Sequence, residues 1–123
     1  MHNLQSPDNS DEGIERDLLA KSLTAPRVTA TSIEACIKSE YCFTASGASF
    51  SAGFVHADDE GPLSLLTICV LVLKNGFTVV GMSACASPEN FDADIGRRIA
   101  RADAVNQVWL LEGYALKTRL AAA

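Results

Sequence analysis

The sequence predicts a single α+β domain, in which a central β-hairpin in a small antiparallel sheet packs on a long C-terminal helix plus shorter helices. Residues 65–84 form two runs of β-branched and apolar residues around Asn75-Gly76, a dipeptide typical of hairpin turns. From Pro88 onward, apolar residues recur at helical spacing. The chain has 123 residues, of which 48% are hydrophobic, so one packed core is expected.

Residues 1–24 are predicted to be a flexible N-terminal extension that contains one short helix. Residues 1–12 are polar and without periodicity, which is typical of a disordered segment. Residues 14–23 favour a short helix, and Pro26 interrupts it because the residue before a proline avoids the helical region. The α+β domain is therefore expected to span residues 25–123.

The stretch before the hairpin predicts a helix, a strand and a loop in turn. A helix is expected over residues 30–39 with Thr29 as its N-cap, and Thr31-x-x-Glu34 is a competing capping box. Residues 41–44 alternate aromatic and small side chains and predict a short strand. Residues 45–62 are rich in Gly, Ser and Ala and end in an acidic cluster, so they are expected to be a loop.

The hairpin is predicted with a two-residue type I′ turn at Asn75-Gly76, so that Val72 faces Val79 and Val70 faces Gly81. In this register both faces of the hairpin are largely apolar. A sheet with one face in water would alternate apolar with polar residues. We therefore expect helices to cover one face and further chain or a second subunit to cover the other, which favours a homo-oligomer.

The C-terminal helix is predicted to begin within residues 85–98, the stretch CASPENFDADIGRR. Ser87 is a suitable N-cap because a proline follows it at the first helical position, and Asn90 is an alternative cap for a later start. The apolar stripe of the helix continues to Trp109. Gly113 then interrupts the pattern, and a last short helix is expected after it.

Charge and hydropathy exclude two classes of partner. The net charge of −5 argues against sequence-independent nucleic-acid binding, which needs a basic surface to neutralise phosphates. The longest apolar run, residues 63–73, is too short to cross a bilayer, which takes about 20 residues. The N-terminus lacks a basic segment followed by an apolar core, so no signal peptide is predicted and the cysteines are expected to be reduced.

No catalytic residue, metal site or cofactor is predicted. The four cysteines include no Cys-x-x-Cys pair, and the histidines are His2 and His56. His56 beside one of the cysteines would make a thiol–imidazole dyad, but nothing in the sequence brings such a pair together. The expectation is a protein that is not an enzyme.

The start of the C-terminal helix is also a candidate binding site. Free backbone N–H groups at a helix start can hold an anion, and Asn90 offers a polar contact. Acidic residues in the same stretch would repel a phosphate, so a binding role needs arginines close by. The candidates are Arg97, Arg98 and Arg101, with Arg27 as a further phosphate contact; Arg98 and Arg101 share one flank of the helix, whereas Arg97 points nearly opposite Ile99. The alternatives are a surface role for Arg27 and an ordinary i, i+4 surface pair between Asp94 and Arg98.

A set of motifs spread over about residues 25–120 resembles a family of small tailed-phage and prophage proteins, the gene-product-forty-nine-like family. The motifs are Arg27-Val28-Thr29, Ser39-Glu40-Tyr41, Asn75-Gly76-Phe77, Ser83-Ala84-Cys85, Pro88-Glu89-Asn90-Phe91-Asp92, Ile95-Gly96, Trp109 and Glu112-Gly113-Tyr114. The same arrangement is similar to the first family of Thoeris anti-defence proteins, which are phage sponges.

The resemblance implies a function without catalysis. Sponges of this family bind cyclic ADP-ribose isomers made by bacterial TIR-domain enzymes, do not degrade them, and so block the host alarm signal in the cytoplasm of the infected cell. It also implies a β-hairpin packed on helices, a dimer or hexamer with pockets at subunit boundaries, and a separate site for cyclic oligonucleotides in some relatives.

The resemblance implies roles for seven residues. An aromatic ring at Phe77 or Phe91 would stack on adenine, and Asn90 or the Ser87 side of the cap would contact a base edge or the ribose. The residues expected at the pyrophosphate are Arg27, Arg98 and Arg101. The alternative function is that of a phage accessory module, which would block a host protein with the apolar hairpin or with the aromatic loop of Phe50 and Phe54.

Overall fold

The computed structural model describes residues 8–54 and 61–123. The helices and strands are α1 (Asp11–Ala20), α2 (Ala30–Cys36), β1 (Ile37–Thr44), α3 (Ala45–Ser51), β2 (Leu66–Leu73), β3 (Thr78–Ala84) and α4 (Ala93–Ala122). Short 3₁₀ helices at Pro62–Leu65 and Pro88–Asn90 precede β2 and α4. The predictions for residues 1–7 and for both histidines fall outside the described residues.

A three-stranded antiparallel sheet, in the order β1-β2-β3, packs against α4, which confirms the predicted α+β class. The core lies between the sheet and this helix, and its buried side chains are Ile33, Cys69, Leu71, Leu73, Val79, Ala100, Ala104 and Val108. The helix lies very close to β3 because the facing residues are small. A Cβ on Gly81 would come 2.1 Å from the carbonyl oxygen of Ala100 and 2.3 Å from the nitrogen of Ala104.

The hairpin forms where the sequence predicts it, but the predicted register is wrong by one residue. Leu71 faces Val79, and the Leu73 N–H donates to the Phe77 carbonyl at 2.8 Å, which closes a three-residue loop. The Asn75 side chain accepts from the Phe77 N–H at 2.9 Å, and Gly76 adopts φ +90°. A turn followed by a left-handed glycine is the usual form of a three-residue hairpin loop, and it replaces the two-residue turn expected from the dipeptide.

Helix α2 is shorter than predicted. Thr29 is its N-cap, since Thr29 Oγ1 accepts from the Ser32 N–H at 3.0 Å and Ser32 Oγ accepts from the Thr29 N–H at 2.9 Å. The competing start two residues later is not used. The helix ends at Cys36 instead of residue 39 because the chain pairs with β2 from Ile37 onward. Tertiary pairing thus overrides the helical pattern of the last three residues, and β1 extends beyond the short strand predicted over residues 41–44.

Part of the predicted loop after β1 is helical. Residues Ala45–Ser51 form α3, whose first turn is capped by the Thr44 side chain, an acceptor for the Gly47 N–H at 3.1 Å. A single threonine cap is enough to start this helix in a segment otherwise rich in small residues.

Helix α4 begins later than predicted, at Ala93. Its N-cap is Asp92, whose Oδ1 accepts from the Ile95 N–H at 2.9 Å. Ser87 and Asn90 are therefore not its caps, contrary to expectation. They belong to a separate 3₁₀ turn, closed by a 3.1 Å bond from the Asn90 N–H to the Ser87 carbonyl.

The predicted break at Gly113 is absent, because α4 runs unbroken for 30 residues to Ala122. A glycine inside a helix costs about 1 kcal/mol relative to alanine, which a long helix packed on a sheet tolerates. At about 1.5 Å per residue the helix is longer than the eight-residue strands of the sheet, so its C-terminal part extends past them.

The sheet face turned away from α4 is apolar and uncovered by the described residues. Pairing across the strands brings together the open sheet face, which consists of apolar Tyr41, Phe43, Leu66, Ile68, Val70, Val72, Val80, Met82 and Ala84, with the uncharged polar side chains of Ser39 and Thr78 at one end. Tyr41 is 57% exposed and Met82 is 55% exposed. The prediction that both faces of the hairpin are apolar is confirmed.

The outer edge of β3 is closed by side chains of α4. The Met82 N–H donates to Asp103 Oδ2 at 2.9 Å, and the Val80 carbonyl accepts from the Gln107 amide. These bonds occupy backbone groups through which a further strand would pair. None of the helices in residues 8–54 and 61–123 is both long and apolar enough to cross a membrane.

Candidate functional site

A cleft opens where β3 ends and α4 begins. Its volume is about 290 Å³, and its walls include Cys85, Asn90, Phe91, Ile95, Gly96 and Ile99. We refer to it as the larger cleft. Most of its lining atoms belong to apolar groups, and the Asn90 amide supplies a polar group at the wall.

The local sequence explains how the larger cleft forms. The Cys85 N–H donates to the Leu65 carbonyl at 3.0 Å, so the chain stays on the sheet one residue beyond β3. The Cys85 thiol donates to the Ser87 carbonyl at 3.2 Å, and Pro88 begins the 3₁₀ turn. The turn carries the chain outward before α4 returns across the sheet. Residues 88–92, the most specific motif of the sequence, therefore form one wall of a concave surface.

The structure brings together only some of the predicted ligand-binding residues. Asn90 and Phe91 line the larger cleft, and Ser87 lies in the turn beside it. Phe77 lies at the opposite end of β3, and seven strand residues span roughly 20 Å. Phe77 is 55% exposed in the hairpin loop, so within one chain it is not near the cleft.

Arg101 is held between two carboxylates. Its guanidinium binds Glu34 on α2 through two hydrogen bonds, of 3.0 and 2.8 Å, and its Nε donates to Glu40 on β1 at 3.2 Å. The hydrogen bond with Arg101 lowers the pKa of Glu34, and the same contact raises the pKa of Arg101. This network links α4, α2 and β1. Its carboxylates bind the N–H groups of the Arg101 guanidinium that would otherwise contact a phosphate.

Arg27 and Arg98 are also paired with acidic side chains. Arg27 forms an ion pair with Glu15 of α1, and this hydrogen bond lowers the pKa of Glu15. Arg98 Nε lies 3.2 Å from Asp94 Oδ2, with both side chains largely exposed. The i, i+4 surface pair that the sequence offered as the alternative role of Arg98 is therefore present.

A second, smaller cleft of about 40 Å³ lies between β1 and the first turns of α4. Its lining includes Thr44, Thr67, Phe91, Ala93 and Arg97. We refer to it as the smaller cleft; it shares the Phe91 ring with the larger one. The sequence offered Arg97 as one of the nearby arginines, but the resemblance assigned the pyrophosphate contact to Arg27, Arg98 and Arg101.

One signal in the sequence points to Arg97. It precedes Arg101 by four residues, so the two lie on the same flank of a helix. Only the structure shows that this flank faces β1.

Cys69, the buried cysteine of the sheet, is a poor nucleophile. Cys42 and Cys69 face each other on β1 and β2, and their sulfur atoms are 2.9 Å apart. Burial, followed by the contact with Cys42, raises the pKa of Cys69 to about 12, so its thiolate form is rare near neutral pH. Both sulfurs lie within 4.8 Å of a Glu40 oxygen, but Arg101 already binds that carboxylate. A protonated Cys69 thiol beside a guanidinium is a poor cation ligand.

Residues 28–120 match the phage protein (N4 Gp49/phage Sf6 gene 66) family. The chain belongs to this family. The matched range of this phage protein covers the whole sheet and both clefts, whereas Arg27 and α1 precede it. The expected likeness to a small phage protein family is confirmed. No curated protein and no solved structure matches the chain.

Proposed function

We propose that this phage protein is an anti-defence sponge that binds and sequesters a cyclic nucleotide immune signal, a cyclic ADP-ribose isomer of TIR-based Thoeris defence, in the cytoplasm of the infected bacterium. The observation that carries the proposal is the larger cleft. It lies at the Pro88-to-Asp92 motif on which the resemblance to the sponges rests, and it places Asn90 beside Phe91.

The groups at the larger cleft suit an adenine base. An aromatic ring such as Phe91 offers a stacking surface, and stacking on a base contributes about 1–3 kcal/mol. The Asn90 amide carries a donor and an acceptor, the pair of groups that asparagine presents to the N6 and N7 edge of adenine. Among the described residues, none forms a hydrogen bond with the Asn90 side chain, so its amide is free for a ligand.

Sequestration requires no chemistry. A sponge lowers the concentration of free messenger by mass action alone, so its effect depends on affinity and abundance. The raised pKa of Cys69 agrees with a role that uses no cysteine nucleophile at this position.

A second copy of the chain would complete the site. A volume of about 290 Å³ is at the lower limit for pockets that enclose a small molecule. Ile95 and Ile99, on its wall, are 48% and 52% exposed. A homo-oligomer, a dimer or hexamer, would cover such surfaces and enclose the ligand. The resemblance also implies a separate site for cyclic oligonucleotides in such an assembly.

The test is retention and release of intact ligand. Purified protein is incubated with cyclic ADP-ribose isomers and cyclic di- and trinucleotides, free ligand is removed, and the protein is boiled. We expect one messenger to be recovered with unchanged mass. Asn90→Ala and Phe91→Ala should each weaken its binding at least about tenfold. Asn106→Ala, on α4 but outside the larger cleft, should bind like the wild type. Recovery of a product of altered mass would indicate an enzyme instead.

The open sheet face favours one alternative, a module that blocks a host protein. Monomeric proteins rarely leave a large continuous apolar surface uncovered, and such surfaces mark interaction sites. Phe50 and Phe54, at 68% and 69% exposed, add aromatic groups elsewhere on the surface. This function predicts that no ligand of the panel is retained and that the isolated protein is monomeric with the open sheet face accessible to a hydrophobic dye.

A further inference from the structure

Arg97 differs from the three arginines that the resemblance assigns to the pyrophosphate. Arg27, Arg98 and Arg101 each form an ion pair with a carboxylate, whereas Arg97 forms none with any of the described residues. Arg97 belongs to the wall of the smaller cleft. An arginine without a carboxylate partner keeps its full capacity to bind an anion through charge-assisted hydrogen bonds.

The smaller cleft contains a second group that lacks a partner. Thr67 is 3% exposed, and its Oγ1 has no hydrogen-bond partner among the described residues. A buried hydroxyl without a partner is unfavourable, so such a group often marks the place of a ligand or water. Thr67 lines the cleft from β2, where it pairs with Thr44 of β1.

Gly96 leaves space beside this hydroxyl. A Cβ at Gly96 would come 2.8 Å from Thr67 Oγ1 and 3.7 Å from the Phe91 ring. Gly96 also lines the larger cleft. The missing side chain therefore keeps open the region where the two clefts approach each other around Phe91.

The size and charge of the smaller cleft select the chemistry of its occupant. A volume of about 40 Å³ is close to that of one water molecule, about 30 Å³ in the liquid, so it accepts an oxygen-sized group and not a whole nucleotide. The start of α4, at Ala93, contributes the positive end of the helix dipole. Asp92 already satisfies the Ile95 N–H, so the charge in this cleft comes mainly from Arg97.

We propose that Arg97 and the Thr67 hydroxyl form an anion subsite that receives a phosphate oxygen of the ligand whose base occupies the larger cleft. This inference rests on the proposed function and deepens it, because it assigns the phosphate contact to Arg97 and withdraws it from the arginines that already bind carboxylates. Phe91 stands between the base and the phosphate and contacts both parts of the ligand.

The subsite itself is tested with inorganic pyrophosphate. The side-chain Nε–H signals of all arginines are followed by ¹H–¹⁵N NMR while pyrophosphate is added to about 10 mM. We expect the signal that disappears in Arg97→Ala to shift on titration, and the Arg119 signal, from the last turn of the same helix, to remain in place. An unshifted Arg97 signal would overturn the subsite.

A second experiment tests whether one ligand occupies both clefts. It compares the affinities of each variant for cyclic ADP-ribose and for adenosine, which has the same base but no phosphate. Arg97→Ala should weaken cyclic ADP-ribose binding by about 10- to 100-fold and leave adenosine binding unchanged, whereas Arg119→Ala should change neither. Thr67→Val should weaken cyclic ADP-ribose binding by a smaller factor. The ligand-free variant should unfold at an equal or higher temperature than the wild type, because the substitution removes a buried hydroxyl that lacks a partner. Full affinity in Arg97→Ala would refute the inference.

The two proposals fail in different ways. If pyrophosphate shifts the Arg97 signal but no cyclic nucleotide is retained, the anion subsite stands and the sponge function does not. If a cyclic nucleotide is retained equally by the wild type and by Arg97→Ala, the sponge function stands and the subsite is refuted.

Discussion

Arg101 is a structural residue that joins α4 to α2 and β1. Its guanidinium binds Glu34 through two parallel hydrogen bonds and Glu40 through its Nε, while the side chain is only 31% exposed. Isolated surface ion pairs contribute little to stability, but a bidentate pair within a network contributes more. Arg98, three positions earlier, pairs with Asp94, and both of these side chains are largely exposed.

We therefore expect Arg101→Ala to lower the free energy of unfolding by about 1–2 kcal/mol, since it leaves two neighbouring carboxylates without their partner. Arg98→Ala should cost no more than about 0.5 kcal/mol. Urea denaturation of the three proteins measures both values. Equal losses in the two variants would contradict the structural role of Arg101.

The pH dependence gives a second readout of the same contact. The pKa of Glu34 is lowered in the folded protein, so its pairing stabilises the fold above the ordinary glutamate pKa of 4.5, and this stabilisation is lost as the pH falls through the folded pKa. The wild type should thus lose its advantage over Arg101→Ala as the pH drops below about 4.5. If the difference in the free energy of unfolding between the wild type and Arg101→Ala were the same in acid, the side-chain packing of Arg101, and not its ion pair, would account for it.

At the scale of elements, the contact between α4 and β3 depends on small residues. Gly96, Ala100 and Ala104 recur every four residues along the buried side of the helix, and Gly81 on β3 lies against their backbone. Side chains larger than these would separate the helix from the strand. The close approach also lets Asp103 and Gln107 reach the outer edge of β3.

Substitution of two glycines by alanine should change the stability of the protein in opposite directions, because Gly81 lies at the contact between α4 and β3 and Gly113 does not. Gly81→Ala should destabilise the protein by about 3 kcal/mol, because the new methyl would meet helix backbone at 2.1 Å. Gly113→Ala should stabilise it by up to about 1 kcal/mol, because nothing lies within 4 Å of the added Cβ and alanine favours a helix. Thermal and urea unfolding check both. A harmless Gly81→Ala would show that α4 does not lie this close to the strand.

At the scale of the whole molecule, the uncovered surfaces are the open sheet face and the projecting part of α4. Tyr41, on the first, is 57% exposed, and Tyr114, on the second, is 79% exposed. The open sheet face contains no charged side chain, and its contiguous apolar surface suits an identical face of a second copy.

Tyr41→Lys should therefore dissociate the proposed homo-oligomer, because it places a charge in the middle of a desolvated interface. Tyr114→Lys introduces the same charge on α4 and should leave the assembly intact. Light scattering coupled to size-exclusion chromatography measures the mass of each. Dissociation by Tyr114→Lys alone would place the subunit contact on α4 instead.

The sequence by itself determined the fold class, the position of the hairpin and the start of a long amphipathic helix near residue 90, and it offered Thr29 as one of two N-caps for α2. These depend on local properties, namely β-branched runs, turn residues and helical periodicity, which act over a few neighbouring positions. It also identified Asn90 and Phe91, since the motif that contains them is contiguous.

Tertiary structure alone decided the end of α2 at Cys36 and the charge partners of Arg101. Each depends on groups far apart in the chain: β2 draws Ile37 into the sheet, and Glu34 and Glu40 neutralise Arg101 across 61 to 67 positions. Arg97 and Thr67 line one cleft for the same reason, because only the packing of α4 on the sheet brings a helix flank near a buried strand hydroxyl.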